Sequence, residues 1–201
     1  MTRRRRSTLA AVALLACAAP LGVAQAQDEQ RKQDNIAVAT TEQDGGNAFD
    51  FAWSLRRERG DVVDNKNVAN AAARCTDCRA TSIAFQIVLA RGNPSQVTPH
   101  NQAVAINDAC TRCVVYAGAR QFVRVVPEGG ARFTGEGRST LADVRHDLRA
   151  LEGQDLTYEE LHAAVEEQEA RVLQVLVEEV VTYDGGRTQY RDKDDRQADD
   201  H

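Results

Sequence analysis

Large apolar residues alternate with polar or small ones from residue 49 to residue 56. Phe49, Phe51, Trp53 and Leu55 are interleaved with Asp50, Ala52, Ser54 and Arg56. A period of two over eight residues predicts a half-buried strand. The stretch Asn35-Ile36-Ala37-Val38-Ala39-Thr40-Thr41 precedes it across Asp44-Gly45-Gly46-Asn47, so the pair reads as a β-hairpin. From Val68 the spacing changes. Val68, Ala71, Cys75, Cys78, Ser82, Phe85 and Leu89 recur at steps of three and four, the spacing of one face of a helix. Thr98-Pro99 reads as an N-cap and first helical residue. After it Ala103, Ile106, Cys110, Cys113 and Ala117 repeat the same steps.

Between these two stretches Gly92-Asn93-Pro94 is a strong chain-reversal signal. Cys75 and Cys113 lie equally far from residue 94, and so do Cys78 and Cys110. A helical hairpin folded there sets Cys75 opposite Cys113 and Cys78 opposite Cys110. Phe85 then meets Ala103 and Ser82 meets Ile106, large against small, as a tight antiparallel helix pair requires. Further on, Phe122, Val123, Val125 and Val126 precede a Pro127-Glu128-Gly129-Gly130 turn and Ala131-Arg132-Phe133, which predicts a second short hairpin. Two helices close the pattern. Ser139 caps one whose stripe is Leu141, Val144, Leu148 and Leu151, ending at Gly153, and Thr157 with Glu160 forms a capping box for another reaching about Val181.

The expected fold is therefore α+β: a β-hairpin layer packed on a disulfide-stapled antiparallel helical hairpin, plus two C-terminal helices. Its domain spans residues 35–181. Residues 1–26 read as an export signal peptide, with Arg3 to Arg6, an apolar run from Leu9 to Ala19, a Pro20 break and Ala24-Gln25-Ala26. Leu14-Leu15-Ala16-Cys17 also resembles a lipoprotein cleavage box, which would anchor the chain through Cys17. Residues 27–34 read as a disordered leader and residues 182–201 as a disordered charged tail.

Charge narrows the partners. Removal of the signal leaves 21 of the 25 basic residues against 30 acidic ones, a net charge of −9. That balance excludes the basic footprint of a nucleic-acid binder and the polybasic docking of an anionic membrane surface. No membrane insertion of the mature chain is expected.

Four cysteines outside the signal form two Cys-x-x-Cys pairs, and three chemistries fit them. Two disulfides, Cys75–Cys113 and Cys78–Cys110, suit an exported chain with an even cysteine count. A zinc site using Cys75, Cys78, Cys110 and Cys113 suits the spacing but requires reduced thiols. A dithiol oxidoreductase needs its attacking cysteine at a helix N-terminus, whereas Cys75 falls inside the expected helix. Arg79 and Val114 follow the pairs where covalent haem attachment would need histidine. His162 with Glu159 and Glu166 lies on a polar helical face and reads as solvated; His146 reads as solvent-facing and His100 as lacking a partner nearby in sequence. Arg59-Gly60-Asp61 reads as a turn, although it also spells an adhesion-receptor ligand. No His-Glu-x-x-His, Gly-x-Ser-x-Gly or phosphate-loop motif occurs in the sequence, which leans against an enzyme.

Gly60-Asp61-Val62-Val63, the two cysteine pairs, Val97-Thr98-Pro99, Ala103-x-Ala105-Ile106-Asn107 and Phe133-Thr134-x-Glu136-Gly137 carry a resemblance. Together they resemble an uncharacterised family of exported proteins of high-GC Gram-positive bacteria. Regions related to that family occur in chains labelled peptide zinc metalloprotease. The resemblance spans about residues 35 to 180 and implies no activity; the chain has no protease zinc motif from which a catalytic residue could be carried over. The expected function is a secreted, disulfide-stabilised structural or protein-interaction module of the cell envelope, with an envelope protein as partner. A four-cysteine zinc protein, or an accessory or regulator of an envelope peptidase, are the alternatives.

Overall fold

The computed structural model describes residues 34–184 and 187–189. The expected signal peptide, the leader up to residue 33 and the tail beyond residue 189 lie outside the described residues. Six strands come first: β1 Asn35–Thr41, β2 Asn47–Arg59, β3 Val62–Ala73, β4 Arg79–Arg91, β5 Gln96–Asn107 and β6 Val114–Val126. They form two parallel sheets, ordered β1-β3-β5 and β2-β4-β6. Each strand of one sheet leads into a strand of the other, so the chain winds as a two-sided solenoid of three coils. Equivalent residues lie 32 apart between the first two coils, as in Asn35 with Asn67 and Asn47 with Arg79. Between the second and third they lie 34 or 35 apart, as in Val62 with Gln96 and Arg79 with Val114.

The interior between the sheets is lined by small residues. Ala37, Ala69, Ala84 and Ala119 pack together, with Ala52 and Ala117 against them. Two amide rows cross this layer. Asn35 donates to Asn67 at 2.8 Å and Asn67 to Asn101 at 2.8 Å, each of the two also donating to a carbonyl of the facing strand β4. Gln121 likewise donates to Gln86 at 2.6 Å. A side chain that recurs at the same point of every coil stacks on its own kind, and amides stacked this way satisfy each other in a dry interior.

The other face of β2-β4-β6 carries the large residues. Ile83, Phe85, Ile87 and Leu89 are buried there, and Trp53 stacks on Phe85 with ring centroids 6.1 Å apart. Two helices cover them, α1 Gly135–Arg149 and α2 Tyr158–Glu178. Leu141, Val144, Leu148, Leu161, Val165 and Val172 join the same core. Arg120 with Glu169 ties β6 to α2, and Arg171 with Asp147 ties the helices to each other. Both faces of β4 are thus occupied, as parallel strands require. A small antiparallel sheet follows, with β7 Ala131–Phe133, β8 Val180–Asp184 and β9 Arg187–Gln189 in that order. No helix among the described residues is long and apolar enough to cross a membrane.

This architecture overturns the expected helical hairpin. The stretches from Val68 and from Thr98 are strands β3 to β6, and Thr98-Pro99 lies inside β5 rather than at a helix start. The segments around Asn93-Pro94 are related by translation along the solenoid, not folded back on each other. The two hairpins are also absent: β1 and β2 belong to different sheets, β6 pairs with β4, and β7 pairs with β8. The physical reason lies in composition. Alanine, cysteine and serine fill inward and outward positions alike, so a period of two between small residues can be read at steps of three and four. The Thr157–Glu160 capping box is formed as its spacing predicts, while Thr134 rather than Ser139 caps α1. Helix α2 stops at Glu178, and β8 carries pairing past residue 181, into the stretch expected to be tail.

Candidate functional site: the four-cysteine corner

Each coil turns from the first sheet to the second through four residues at matching positions. They are Gln43-Asp44-Gly45-Gly46, Cys75-Thr76-Asp77-Cys78 and Cys110-Thr111-Arg112-Cys113. The third residue of each is left-handed: Gly45 at φ 68°, Asp77 at 55° and Arg112 at 55°. Only glycine adopts that region freely, so the second and third turns carry strain that neighbouring contacts must offset. Those contacts are present. Gly45 N donates to Thr76 O at 2.9 Å, Asp77 N to Thr111 O at 2.9 Å, Thr111 N to Cys75 O at 3.2 Å and Val114 N to Cys78 O at 3.0 Å. Arg112 reaches back to the Asp77 carboxylate with two N–H donors. This hydrogen-bonded pairing holds the Asp77 carboxyl below the usual carboxylate range. Gly46 stands where the later turns have Cys78 and Cys113. A Cβ there would lie 2.4 Å from Thr41 Oγ1 and 2.6 Å from Gln43 O, so this turn admits no cysteine without rearrangement.

The stacking gathers all four predicted cysteines at one corner, and it corrects their pairing. Cys75 is bonded to Cys78 and Cys110 to Cys113, within each turn rather than crosswise between segments. Across the turns, Cys78 Sγ lies 3.1 Å from Cys113 Sγ and 3.6 Å from Cys110 Sγ. The sulfurs of Cys75, Cys78 and Cys110 all lie within 4.8 Å of one another. Cys75 and Cys78 are buried, packed with Ala71, Ala73 and Ala80, while Cys110 and Cys113 are half-buried. A cleft of about 490 Å³ opens beside the corner, lined in part by Gly45, Cys78, Arg79, Arg112 and Gly153. Arg79 crosses it to the Asp155 carboxylate and the Leu156 carbonyl.

The three described histidines are not brought together. His162 Nε2 lies 3.2 Å from Glu166 Oε1 on α2, and His146 Nδ1 lies 3.5 Å from Asp147 Oδ1 on α1. His100 Nε2 meets Asp64 Oδ1 at 3.4 Å, a partner from the preceding coil. Glu159 is exposed in the first turn of α2, and Arg59-Gly60-Asp61 is the exposed turn between β2 and β3.

The residues missed by periodicity are those of the amide rows and of the first turn. Self-similarity at a spacing of 32 to 35 residues reveals both. Asn35, Asn67 and Asn101 recur, and Gln43-Asp44-Gly45-Gly46 matches the position of each Cys-x-x-Cys. No protein-family model, curated protein or solved structure matches the chain.

Proposed function

We propose that the chain is an exported structural or protein-interaction module of the cell envelope, clasped by disulfides and without catalytic activity. The observation that carries this reading is the outer face of β1-β3-β5. Among the described residues no helix lies over it, and it presents Ile36, Val38, Val62 and Ile106, each about half exposed. Parallel sheets ordinarily have both faces covered, and uncovered apolar rows on such a sheet mark a protein-binding surface. Two disulfides at one corner support residence in an oxidising compartment.

Fractionation of a producing cell, followed by intact mass of the recovered chain with and without reductant, tests the reading. Recovery outside the cytoplasm, four hydrogens lighter than after reduction, agrees with it. A cytoplasmic chain with free thiols would sink it. On the recovered chain, Val38→Asp with Ile106→Asp should abolish co-purification of an envelope protein while leaving the melting temperature nearly unchanged.

A further inference from the structure

We infer that the corner, once reduced, is a four-thiolate site for a soft divalent cation such as Zn²⁺. This goes beyond the module reading and does not depend on it. A tetrahedral centre with metal–sulfur bonds of about 2.3 Å places its sulfurs about 3.8 Å apart. Two of the contacts between turns, Cys78 to Cys110 at 3.6 Å and Cys78 to Cys113 at 3.1 Å, already approach that edge length. The Cys75, Cys78 and Cys110 sulfurs all lie within 4.8 Å of one another. Within each turn the Cα atoms are 6.0 and 5.9 Å apart, so side-chain rotation alone spreads the sulfurs once their bonds are broken.

The frame does not rely on those bonds. The two turns are joined through main-chain hydrogen bonds at Asp77, Thr111 and Val114 and through the Asp77–Arg112 pair. They therefore present four thiols in register with or without the disulfides. The count also fits. The first turn carries Gln43 and Gly46 in place of cysteines, so the stack holds four ligands, the number that one tetrahedral ion takes.

The chemistry balances with an external dithiol. It gives two electrons and two protons to each S–S bond, and each dithiol molecule closes to its own disulfide. The cation then displaces four thiol protons to solvent as four metal–sulfur bonds form. An external disulfide reverses this, accepting two electrons per re-formed S–S bond while the cation leaves.

The test uses the full chain, reduced with a dithiol without oxygen, freed of reductant and titrated with Co²⁺ and then Zn²⁺. Circular dichroism is followed throughout. The expected result is a tetrahedral cobalt–thiolate spectrum that saturates at one ion per chain, is displaced by Zn²⁺ and is lost on reoxidation. Cys78→Ser should weaken binding at least tenfold. If the reduced chain loses its strand signal, its recovery on adding Zn²⁺ also supports the site. Absence of the cobalt spectrum, a different stoichiometry, undiminished binding by Cys78→Ser, or an unfolded reduced chain that Zn²⁺ does not restore would overturn it.

Discussion

The main-chain N–H of Val38 donates to the Asp50 carboxylate across 2.7 Å, from the first strand of the solenoid to the second. Arg74 N donates to Thr41 O, so the odd-numbered groups of β1 face β3 and the amide of Val38 faces away from it. Asp50 occupies the position that Ser82 and Ala117 hold in the later coils. An inward-pointing acid thus blunts a strand edge that would otherwise template pairing with another chain. The third coil is blunted by different means. Gln96 N donates to Asp61 O and Asp108 N to Ala73 O, which places Pro99 among the residues of β5 facing away from β3. Its missing N–H falls on the open edge, where proline is tolerated. On the same strand, Asn101 Nδ2 donates across the interior to the carbonyl of Ala119 on β6 at 3.0 Å.

Asp50→Ala should therefore cost about 1 kcal/mol, the net value of an exposed hydrogen bond. It should also promote association through the freed edge. Denaturant unfolding and sedimentation velocity check the two effects separately, and a variant that is both as stable and as monomeric as the parent would contradict the edge-blunting role.

Asn67 is central to its row and fully buried, with bonds to Asn35, Asn101 and the Ala84 carbonyl. Replacing it by alanine leaves several buried groups without partners, each costing about 1–3 kcal/mol. Asn67→Ala should be among the most destabilising single changes in the solenoid, clearly exceeding Asn101→Ala at the exposed end. Urea midpoints of the two variants decide this.

Gly118 gives its space to Tyr116. A Cβ at residue 118 would lie 2.8 Å from the Tyr116 hydroxyl, and the ring is held between the sheet and Tyr158. Gly118→Ala should cost about 1–3 kcal/mol through overpacking. Burial also pushes the Tyr116 phenol up to about 12 from 10.0. A raised folded pKa means that this contribution is complete below pH 10 and is lost as pH rises toward 12. Spectrophotometric titration should show a phenol ionising near pH 12, with stability falling over the same range.

Each disulfide closes a loop of four residues, worth about 2 kcal/mol on the chain-entropy estimate, against about 4 for a crosswise bond spanning about 39. Cys75→Ser with Cys78→Ser should lower stability by the smaller figure. Without reduction, trypsin should release the peptide from Cys75 to Arg79 by itself, two hydrogens light. Finding it joined to peptides that contain Cys110 or Cys113 would restore the crosswise pairing.

Glu160 accepts the Thr157 main-chain N–H at 2.7 Å, which holds its carboxyl below the usual range. The capping contribution is therefore present above the ordinary glutamate pKa and fades as pH falls through the lowered value. Thr157→Ala should cost about 1 kcal/mol at neutral pH, and the difference from the parent should shrink in acid, as thermal melts across pH 2 to 7 will show.

The last two helices were legible because their information is local: an apolar stripe in each, and for α2 a capping threonine with an acid three positions later, whereas the cap of α1 is Thr134 and not the expected Ser139. The strand Asn47–Arg59 was legible for the same reason, since Phe49 to Leu55 alternate along one segment. Its partner was not. Parallel pairing joins Asn47 to Arg79 and Arg79 to Val114, a relation between distant residues that no window of a dozen positions contains.

By itself the sequence determined the compositional facts: four cysteines in two equal spacings, an acidic balance, two cappable helices and an alternating aromatic strand. Tertiary structure decided what those cysteines face. The side chain at Cys78 meets Cys110 and Cys113 because each turn hydrogen-bonds onto the next, a full coil further along the chain. Small residues such as alanine suit a tight helix crossing as well as the thin interior of a solenoid. Their pattern alone leaves the two packings equal, and the stacked asparagines and the repeated left-handed turns separate them, because both stabilise translation from coil to coil and neither stabilises a chain folded back on itself.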